Sequence, residues 1–219
     1  MPYSYGFDWT YLVLVLPCVI LSLWASSNVN STFQKYSNQH SIRHLTGAEA
    51  AQRVLRHNGV TGVRIERVSG NLTDHFDPKT NTISLSQGVY NVTSVAAVGI
   101  AAHEAGHAMQ KHENYAPLML RTAIVPAVNI CSGLSTPLFF AGLLLSWEPL
   151  LTLGILLFAA STVFALVTLP VEFNASRRAL NVLEGTGILE GDELGGAKKV
   201  LSAAAMTYVA ALITSVAQL

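Results

Sequence analysis

The residues of this sequence best suited to chemistry are two histidines and a glutamate in the segment His103-Glu-Ala-Gly-His107. The surrounding run is apolar and rich in alanine, which favours a helix. Residues four apart share one helix face, so His103 and His107 can direct two imidazole nitrogens at one metal ion. Glu104 can then reach a metal-bound water. The spacing is typical of zinc peptidases, although a histidine on an apolar helix is more often a residue of the core.

A catalytic zinc site needs a third protein ligand and keeps its fourth position for water. The extended metzincin pattern does not supply that ligand, because Gln110 and Glu113 stand where it requires glycine and histidine. Glu172 is the best candidate, since a carboxylate at the end of an apolar span is costly without a partner. An interfacial acid that reaches toward water is the alternative. Glu148 is expected across the membrane, and we interpret the remaining downstream acids as solvated charges: Glu184, Glu190, Asp192 and Glu193.

The motif, the later segment Glu172-Phe-Asn-Ala-Ser-Arg-Arg-Ala-Leu180 and several apolar spans resemble YugP-type membrane zinc metallopeptidases. The resemblance covers nearly the whole chain and extends to the HtpX and CAAX prenyl protease group of gluzincins. In that group two motif histidines and a downstream glutamate bind zinc, which implies His103, His107 and Glu172 as ligands here. The resemblance therefore implies a gluzincin-like core, a Zn2+ cofactor and hydrolysis of peptide bonds.

The sequence departs from the HtpX pattern shortly after Glu172. In that pattern an aspartate follows the ligand glutamate by four residues and supports the site, whereas this chain has Ser176 there. Metal ligands need hydrogen-bonded support from neighbouring groups. Asn174, Ser176 and Arg177 are therefore candidates for orienting a ligand or stabilising an oxyanion. Helix packing or phosphate contacts would explain the same three residues.

Composition indicates a membrane protein. Hydrophobic residues make up 51% of the chain and charged residues 12%, compared with about 25% charged residues in soluble domains. A spanning helix needs about 20 apolar residues, and four runs approach this length, at about 10–25, 123–146, 147–171 and 200–217. The last run is rich in alanine, so a buried helix that does not cross the bilayer is its alternative. We predict a mainly α, multi-span membrane protein with a single domain over residues 1–219.

The basic residues predict an orientation. All 13 Lys and Arg residues lie between the first and second spans or between the third and fourth, and such segments face the cytoplasm. The segment at about 26–121, which contains the motif, is therefore expected in the cytoplasm, and both termini outside. Residues 1–9 hold no Lys or Arg, so we expect an uncleaved anchor in a bacterial cell membrane rather than a signal peptide. The zero net charge excludes nucleic acid as a partner.

The cytoplasmic segment also contains signals for smaller elements. Alternation at 63–66 and short apolar segments at 72–76 and 82–86 around a turn predict a small antiparallel sheet. Ile83 and Leu85 are candidates for an edge strand that pairs with an extended peptide, with packing against the helices as the alternative.

Two helices have start signals in this segment. The sequence Thr46-Gly-Ala-Glu49 predicts a capping box. The helix with the motif is predicted to start at Asn91 or Thr93 and to continue to His112.

These features predict a zinc endopeptidase whose general base is Glu104, which removes a proton from the attacking water and returns one to the leaving amine. Its partners would be a protein or peptide substrate and the lipid bilayer. The first alternative is a zinc-stabilised membrane scaffold or adaptor without turnover, but such a site needs no base beside its ligands. The second is a transporter, which would distribute polar residues through its spans rather than near their cytoplasmic ends.

Overall fold

The computed structural model describes residues 9–219, and for residues 10–12 the backbone alone. The N-terminal residues on which the expected absence of a signal peptide rests lie largely outside this range. The elements in chain order are α1 (Trp9–Ser37), α2 (Gly47–His57), β1 (Arg64–Arg67), β2 (His75–Asp77), β3 (Thr82–Leu85), α3 (Val95–His112), α4 (Ala116–Leu144), α5 (Glu148–Gly185) and α6 (Gly191–Gln218).

Four of these helices are long and apolar enough to cross a membrane. The segments are Val13–Ser37, Ala116–Leu144, Glu148–Gly185 and Gly191–Gln218. Large apolar side chains stand exposed on them, with Leu156 63% and Leu144 86% accessible. Water would be a poor environment for this surface, and lipid a good one. The prediction of a mainly helical, multi-span membrane protein is confirmed, and the alanine-rich last run meets the same criteria of length and composition.

The helices extend well beyond the predicted apolar runs. The third run was expected to end at about residue 171, but α5 continues to Gly185. Its additional turns bury Ala175, Ala179 and Leu183 in the protein core, so tertiary packing replaces lipid as the environment of this part of the helix. Glu172 therefore lies inside a continuous helix rather than at its end.

The long helices form two closely packed pairs. α4 and α5 make a hairpin, and α1 lies along α6. A Cβ atom added at Gly154 would lie 2.8 Å from the backbone nitrogen of Phe139, so glycine permits the close approach in the hairpin. Between α1 and α6 the hydroxyl oxygens of Ser22 and Thr214 lie 3.1 Å apart. α5 also packs against α6, which joins the two pairs.

The two predicted helix starts have different outcomes. Thr46 and Glu49 form the predicted capping box, in which Thr46 Oγ1 accepts a hydrogen bond from the backbone of Glu49 and Glu49 accepts one from the backbone of Thr46. The start of α3 was placed too early, because Ser94 is its N-cap and accepts from the backbone nitrogen of Ala97 at 3.2 Å. The Thr93 hydroxyl lies instead 3.0 Å from Nδ1 of His40.

The sheet has the order β1-β3-β2 and is mixed. β2 pairs with β3 in the predicted antiparallel manner, but β1 pairs with β3 in parallel. The chain skips one strand position between β1 and β2, so β1 runs opposite to β2 without pairing with it. β3 is consequently the central strand, and Ile83 and Leu85 are fully buried. Their prediction as an edge is therefore wrong, and the packing alternative describes them.

Candidate metal centre

α3 is an almost completely buried helix at the centre of the protein. It contacts α2, α5 and α6, and most of its buried residues are alanine, glycine or valine. Small side chains allow several helices to approach one axis closely. The polar residues in the buried part of α3 are His103, Glu104, His107 and Gln110, and all of them except Glu104 contact α5.

The structure brings three predicted ligands together. Nε2 of His103 lies 3.2 Å from Oε2 of Glu172, and Nε2 of His107 lies 3.5 Å from the same oxygen. Donor atoms at about 2.0–2.1 Å around a tetrahedral zinc would lie roughly 3.3–3.4 Å apart. The two distances to Oε2 of Glu172 match this spacing, and all three donor atoms lie within 4.8 Å of one another, so the group could hold a zinc ion. All three side chains are at least largely buried, so solvent does not compete freely for these atoms.

Gly106, inside the motif, permits this meeting of α3 and α5. A Cβ atom at this position would lie 2.6 Å from the carbonyl oxygen of Ala175 on α5, a distance that real side chains do not adopt. The glycine lies on the α3 face that packs against the α5 segment with Glu172. Backbone contact at Gly106 therefore sets the depth at which the carboxylate reaches the two histidines.

Ser176 supports His103 directly. Its hydroxyl oxygen lies 3.0 Å from Nδ1 of His103. When Nε2 binds a metal, the ring proton is on Nδ1. The Nδ1–H group then donates a hydrogen bond to the hydroxyl oxygen of Ser176, which fixes the orientation of the ring. Ser176 follows Glu172 by one helical turn, so both residues project from α5 toward α3. Ser176 thus takes the position that an aspartate has in the HtpX pattern.

Gln110 supports His107 and was not predicted. Its Oε1 lies 3.0 Å from Nδ1 of His107, while its Nε2 donates to the carbonyl oxygen of Val171 and to Oδ1 of Asn174, at 2.8 and 2.9 Å. Asn174 therefore acts through Gln110 and does not contact a ligand itself. The available signal was a polar residue three positions after His107 in a mainly apolar helix. Such a residue is buried only with partners.

Glu172 has a cationic neighbour that sequence reasoning also missed. Nη1 of Arg121, in the second turn of α4, donates to Oε1 of Glu172 at 3.1 Å. The other carboxylate oxygen thus remains directed at the two histidines. From the sequence Arg121 contributed only to the predicted orientation, although a cation near the start of a span has the same need for a partner as the acid.

Arg177, the last predicted supporting residue, is not brought to the centre. It is exposed on α5 and lines a groove between α5 and α6 together with Lys198.

Glu104, the predicted general base, is only 7% exposed. It lies on the wall of two cavities beside His103, where a water molecule or a substrate could reach its carboxylate.

The two cavities meet at the metal centre. One has a volume of about 210 Å3 and the other of about 490 Å3. The two share five lining residues: Asp74, His103, Glu104, Glu172 and Tyr208. Tyr208, on α6, gave no signal in the sequence beyond its place in an apolar run. The group of ligands is therefore accessible from two sides.

Asp74 and Asp77 differ in their electrostatics. Burial raises the pKa of Asp74 above its ordinary value, although hydrogen bonds from the backbone and hydroxyl of Ser86 oppose the shift. Hydrogen bonds from Thr80 and Lys79 hold the pKa of Asp77 below its ordinary value. Asp77 thus stabilises the turn between β2 and β3, whereas Asp74 presents a partly buried acid to both cavities.

In the absence of a metal, a proton on His107 is favoured by its neighbours. Burial lowers the pKa of His107, but the hydrogen bond to Glu172 and the charges of Glu172 and Glu104 raise it, and the net shift is upward. The same negative groups would attract a divalent cation. The centre is therefore built to hold positive charge.

A buried pair of histidines and a glutamate between helices of a multi-span protein, with Glu104 beside them, is the arrangement expected of a membrane zinc metallopeptidase. Comparison with known proteins agrees, and the chain belongs to the family described as "Putative neutral zinc metallopeptidase", whose model matches residues 11–219. A relative from Bacillus subtilis (strain 168), named "Putative membrane protease YugP", is 46% identical over 209 residues. The matched region covers 95% of this chain and 93% of the relative. No solved structure matches the chain.

Proposed function

We propose that this protein is a zinc-dependent endopeptidase of the cell membrane, which hydrolyses peptide bonds of membrane or membrane-proximal proteins. The observation that carries the proposal is the spacing of the three donor atoms, 3.2 and 3.5 Å from Glu172 Oε2 to the two Nε2 atoms. The opposite nitrogen of each ring is held by Ser176 or Gln110. Such support leaves Nε2 free to bind the metal.

Glu104 is the proposed general base. A zinc ion bound by His103, His107 and Glu172 would polarise the scissile carbonyl and make a water molecule more acidic. Glu104 takes one proton from this water as the water oxygen bonds to the carbonyl carbon. The C–N bond then breaks, and Glu104 delivers the proton to the leaving amine. A base beside the ligands favours hydrolysis over the alternative of a zinc-stabilised scaffold, which would need none.

β2 is the proposed docking edge for the substrate backbone. β3 occupies one side of β2, and the other side has no strand partner among residues 9–219. All three residues of β2 line the larger cavity beside the metal centre. An extended peptide that adds to this edge would form main-chain hydrogen bonds next to the reacting groups. β2 thus takes the role that the sequence suggested for β3.

The metal centre is proposed to face the cytoplasm. Lys35 lies in the last turn of α1, Arg177 toward the end of α5, and Lys198 and Lys199 near the start of α6. These are the helix ends next to the two connections that we expect in the cytoplasm. Lys and Arg concentrate on the cytoplasmic side of membrane proteins. Labelling of a single cysteine introduced at the exposed residue Gln52, with Cys18 and Cys131 replaced, tests this orientation. A membrane-impermeant maleimide should react only after the cells are opened, and reaction in intact cells would refute it.

The glutamate-to-glutamine pair Glu104→Gln and Glu184→Gln tests the proposed activity. Glu184 is an exposed acid on α5, so its variant controls for the loss of a negative charge. We expect Glu104→Gln to retain zinc while cleavage of unfolded casein by the purified protein falls by about 10²–10⁴-fold. Undiminished cleavage by this variant would exclude Glu104 as the base. Zinc-loaded wild-type protein that cleaves neither casein nor any membrane protein would favour the scaffold.

A further inference from the structure

Apart from the residues that it shares with the larger cavity, the smaller cavity at the metal centre has a mainly apolar lining, with Ser176 and Thr207 as the polar exceptions. It lies between α1, α3, α6 and the loop before β2, and its volume is about 210 Å3. The side chains that enclose it include Phe33, Ile100, Leu201 and Ala204. A cavity of about 150 Å3 with apolar walls holds a benzene ring, so this space accommodates the side chain of a leucine or phenylalanine.

The larger cavity has a different chemical character. Its own lining contains more polar residues, among them His75, Asp77, Lys79, Arg121 and Thr122, beside the apolar Phe76, Pro78, Leu118 and Val125. The polar side chains favour polar groups or water over an apolar side chain. The two sides of the metal centre therefore differ in what they stabilise.

The two spaces adjoin at the metal centre and extend from it in different directions. His103, Glu104 and Glu172 belong to the lining of both cavities. A peptide bond placed at these groups directs its two flanking residues toward different sides, because the chain continues in both directions from the reacting carbonyl. One flanking residue then meets the apolar cavity, while the other meets the polar one.

We propose that the apolar cavity between α1, α3 and α6 is a specificity pocket for a large apolar side chain on one side of the scissile bond. The substrates are thus polypeptides with leucine, phenylalanine or a similar residue there. This inference rests on the proposed peptidase function. It adds that the enzyme prefers a large apolar residue on one side of the scissile bond. On the other side it has little preference for apolar residues.

Ala204 is the residue that most readily tests the size of the pocket. It is a small, partly buried residue of α6 and lines the cavity, so Ala204→Leu places three more carbon atoms in the space that the substrate side chain would fill. Ala211→Leu makes the same change at an exposed position of the same helix. Ala211 lines neither cavity at the metal centre, so its variant controls for the substitution itself.

The cleavage experiment compares the zinc-loaded wild type and both variants on casein, with the cut sites mapped by mass spectrometry. We expect wild type and Ala211→Leu to favour leucine or phenylalanine over alanine at one flanking position by about 10-fold or more. Ala204→Leu should shift that position toward alanine and glycine and leave the other position unchanged. The same residue preference in all three proteins, or no apolar preference in wild type, would overturn the pocket.

A binding experiment keeps the pocket distinguishable from the activity. The probes are fluorescent peptides that have a reduced central peptide bond and either leucine or alanine at one of the two flanking residues. They are titrated against the Glu104→Gln protein and against the same protein that also carries Ala204→Leu or Ala211→Leu. We expect the leucine peptide to bind about 10-fold more tightly than the alanine peptide, and Ala204→Leu to abolish the difference. Equal binding of both peptides would refute the pocket whether or not casein is cleaved. Absence of cleavage with this difference intact would refute only the activity.

Discussion

Oε1 of Gln110 lies 3.0 Å from Nδ1 of His107, and the amide nitrogen of the same side chain donates to the Val171 carbonyl of α5 at 2.8 Å. One side chain thus fixes a proposed metal ligand on α3 and ties it to the helix that supplies Glu172. Gln110 is fully buried, so neither contact exchanges readily with water. The orientation of His107 and the packing of the two helices are therefore set together.

Replacement of Gln110 by methionine should weaken zinc binding. Methionine has a similar size but cannot replace the hydrogen bond to Nδ1 of His107, and loss of such support typically lowers metal affinity by about 10–100-fold. Competition with a chromogenic chelator measures the dissociation constant. Gln52→Met, at an exposed position of α2, is the control and should leave it unchanged. An unaltered affinity of Gln110→Met would show that the ring needs no such support.

Replacement of Gly106 by alanine should destabilise the protein and weaken zinc binding together. The new Cβ would collide with the Ala175 carbonyl, at 2.6 Å, and separate α3 from α5 at a cost of about 1–3 kcal/mol. Gly195→Ala is the matched control on α6, because no atom lies within 4 Å of its added Cβ. Gly195→Ala should leave the melting temperature unchanged or raise it. Equal melting temperatures and zinc affinities for the two variants would contradict the close contact.

Replacement of Arg121 by methionine should destabilise the metal-free protein more than the zinc-loaded one. Without metal, Arg121 shares with His107 the compensation of the buried carboxylate of Glu172, which it contacts at 3.1 Å, and loss of one partner of a buried pair leaves its charge less well compensated. Bound zinc would supply the compensating charge instead. Thermal unfolding in detergent, with zinc and with a chelator, measures both differences. Arg177→Met should change neither, and an equal loss in both states would mean that Arg121 acts by packing alone.

Replacement of Asp74 by asparagine should stabilise the metal-free protein increasingly as pH rises. Because the pKa of Asp74 is raised in the folded state, above its ordinary value of 3.8, its favourable contribution is complete at acid pH. That contribution is lost as pH rises through the higher folded-state value. Asparagine remains neutral and escapes this loss. Unfolding by denaturant from about pH 3.5 to pH 7 measures the difference between variant and wild type.

Asp77→Asn provides the opposite sign for comparison. The pKa of Asp77 is lowered by hydrogen bonds from Thr80 and Lys79, so its contribution is present above the ordinary value and lost as pH falls. The wild type should therefore gain stability over Asp77→Asn as pH rises, by a small amount because Asp77 is only partly buried and water screens its charge. A difference that is independent of pH for both variants would refute the two shifts.

The sequence predicted the grouping of the ligands better than their surroundings. His103 and His107 follow from helical spacing, and Glu172 follows from the cost of a carboxylate near an apolar span. Gln110 and Arg121 depend on how α3, α4 and α5 pack, which periodicity does not specify. The mixed sheet was missed for a similar reason. The hairpin of β2 and β3 is local, whereas the parallel pairing of β1 depends on a connection that skips a strand position.

α5 carries both a membrane span and a proposed metal ligand on one continuous helix. Its 38 residues give a length of about 57 Å at 1.5 Å per residue, nearly twice the hydrocarbon thickness of about 30 Å. Helices adjust to thicker or thinner bilayers by tilting, and Pro170 lies in this helix two residues before Glu172. A change in lipid chain length would therefore tilt α5 and move the carboxylate of Glu172 relative to the two histidines. The acyl-chain composition of the bilayer would in this way affect metal binding.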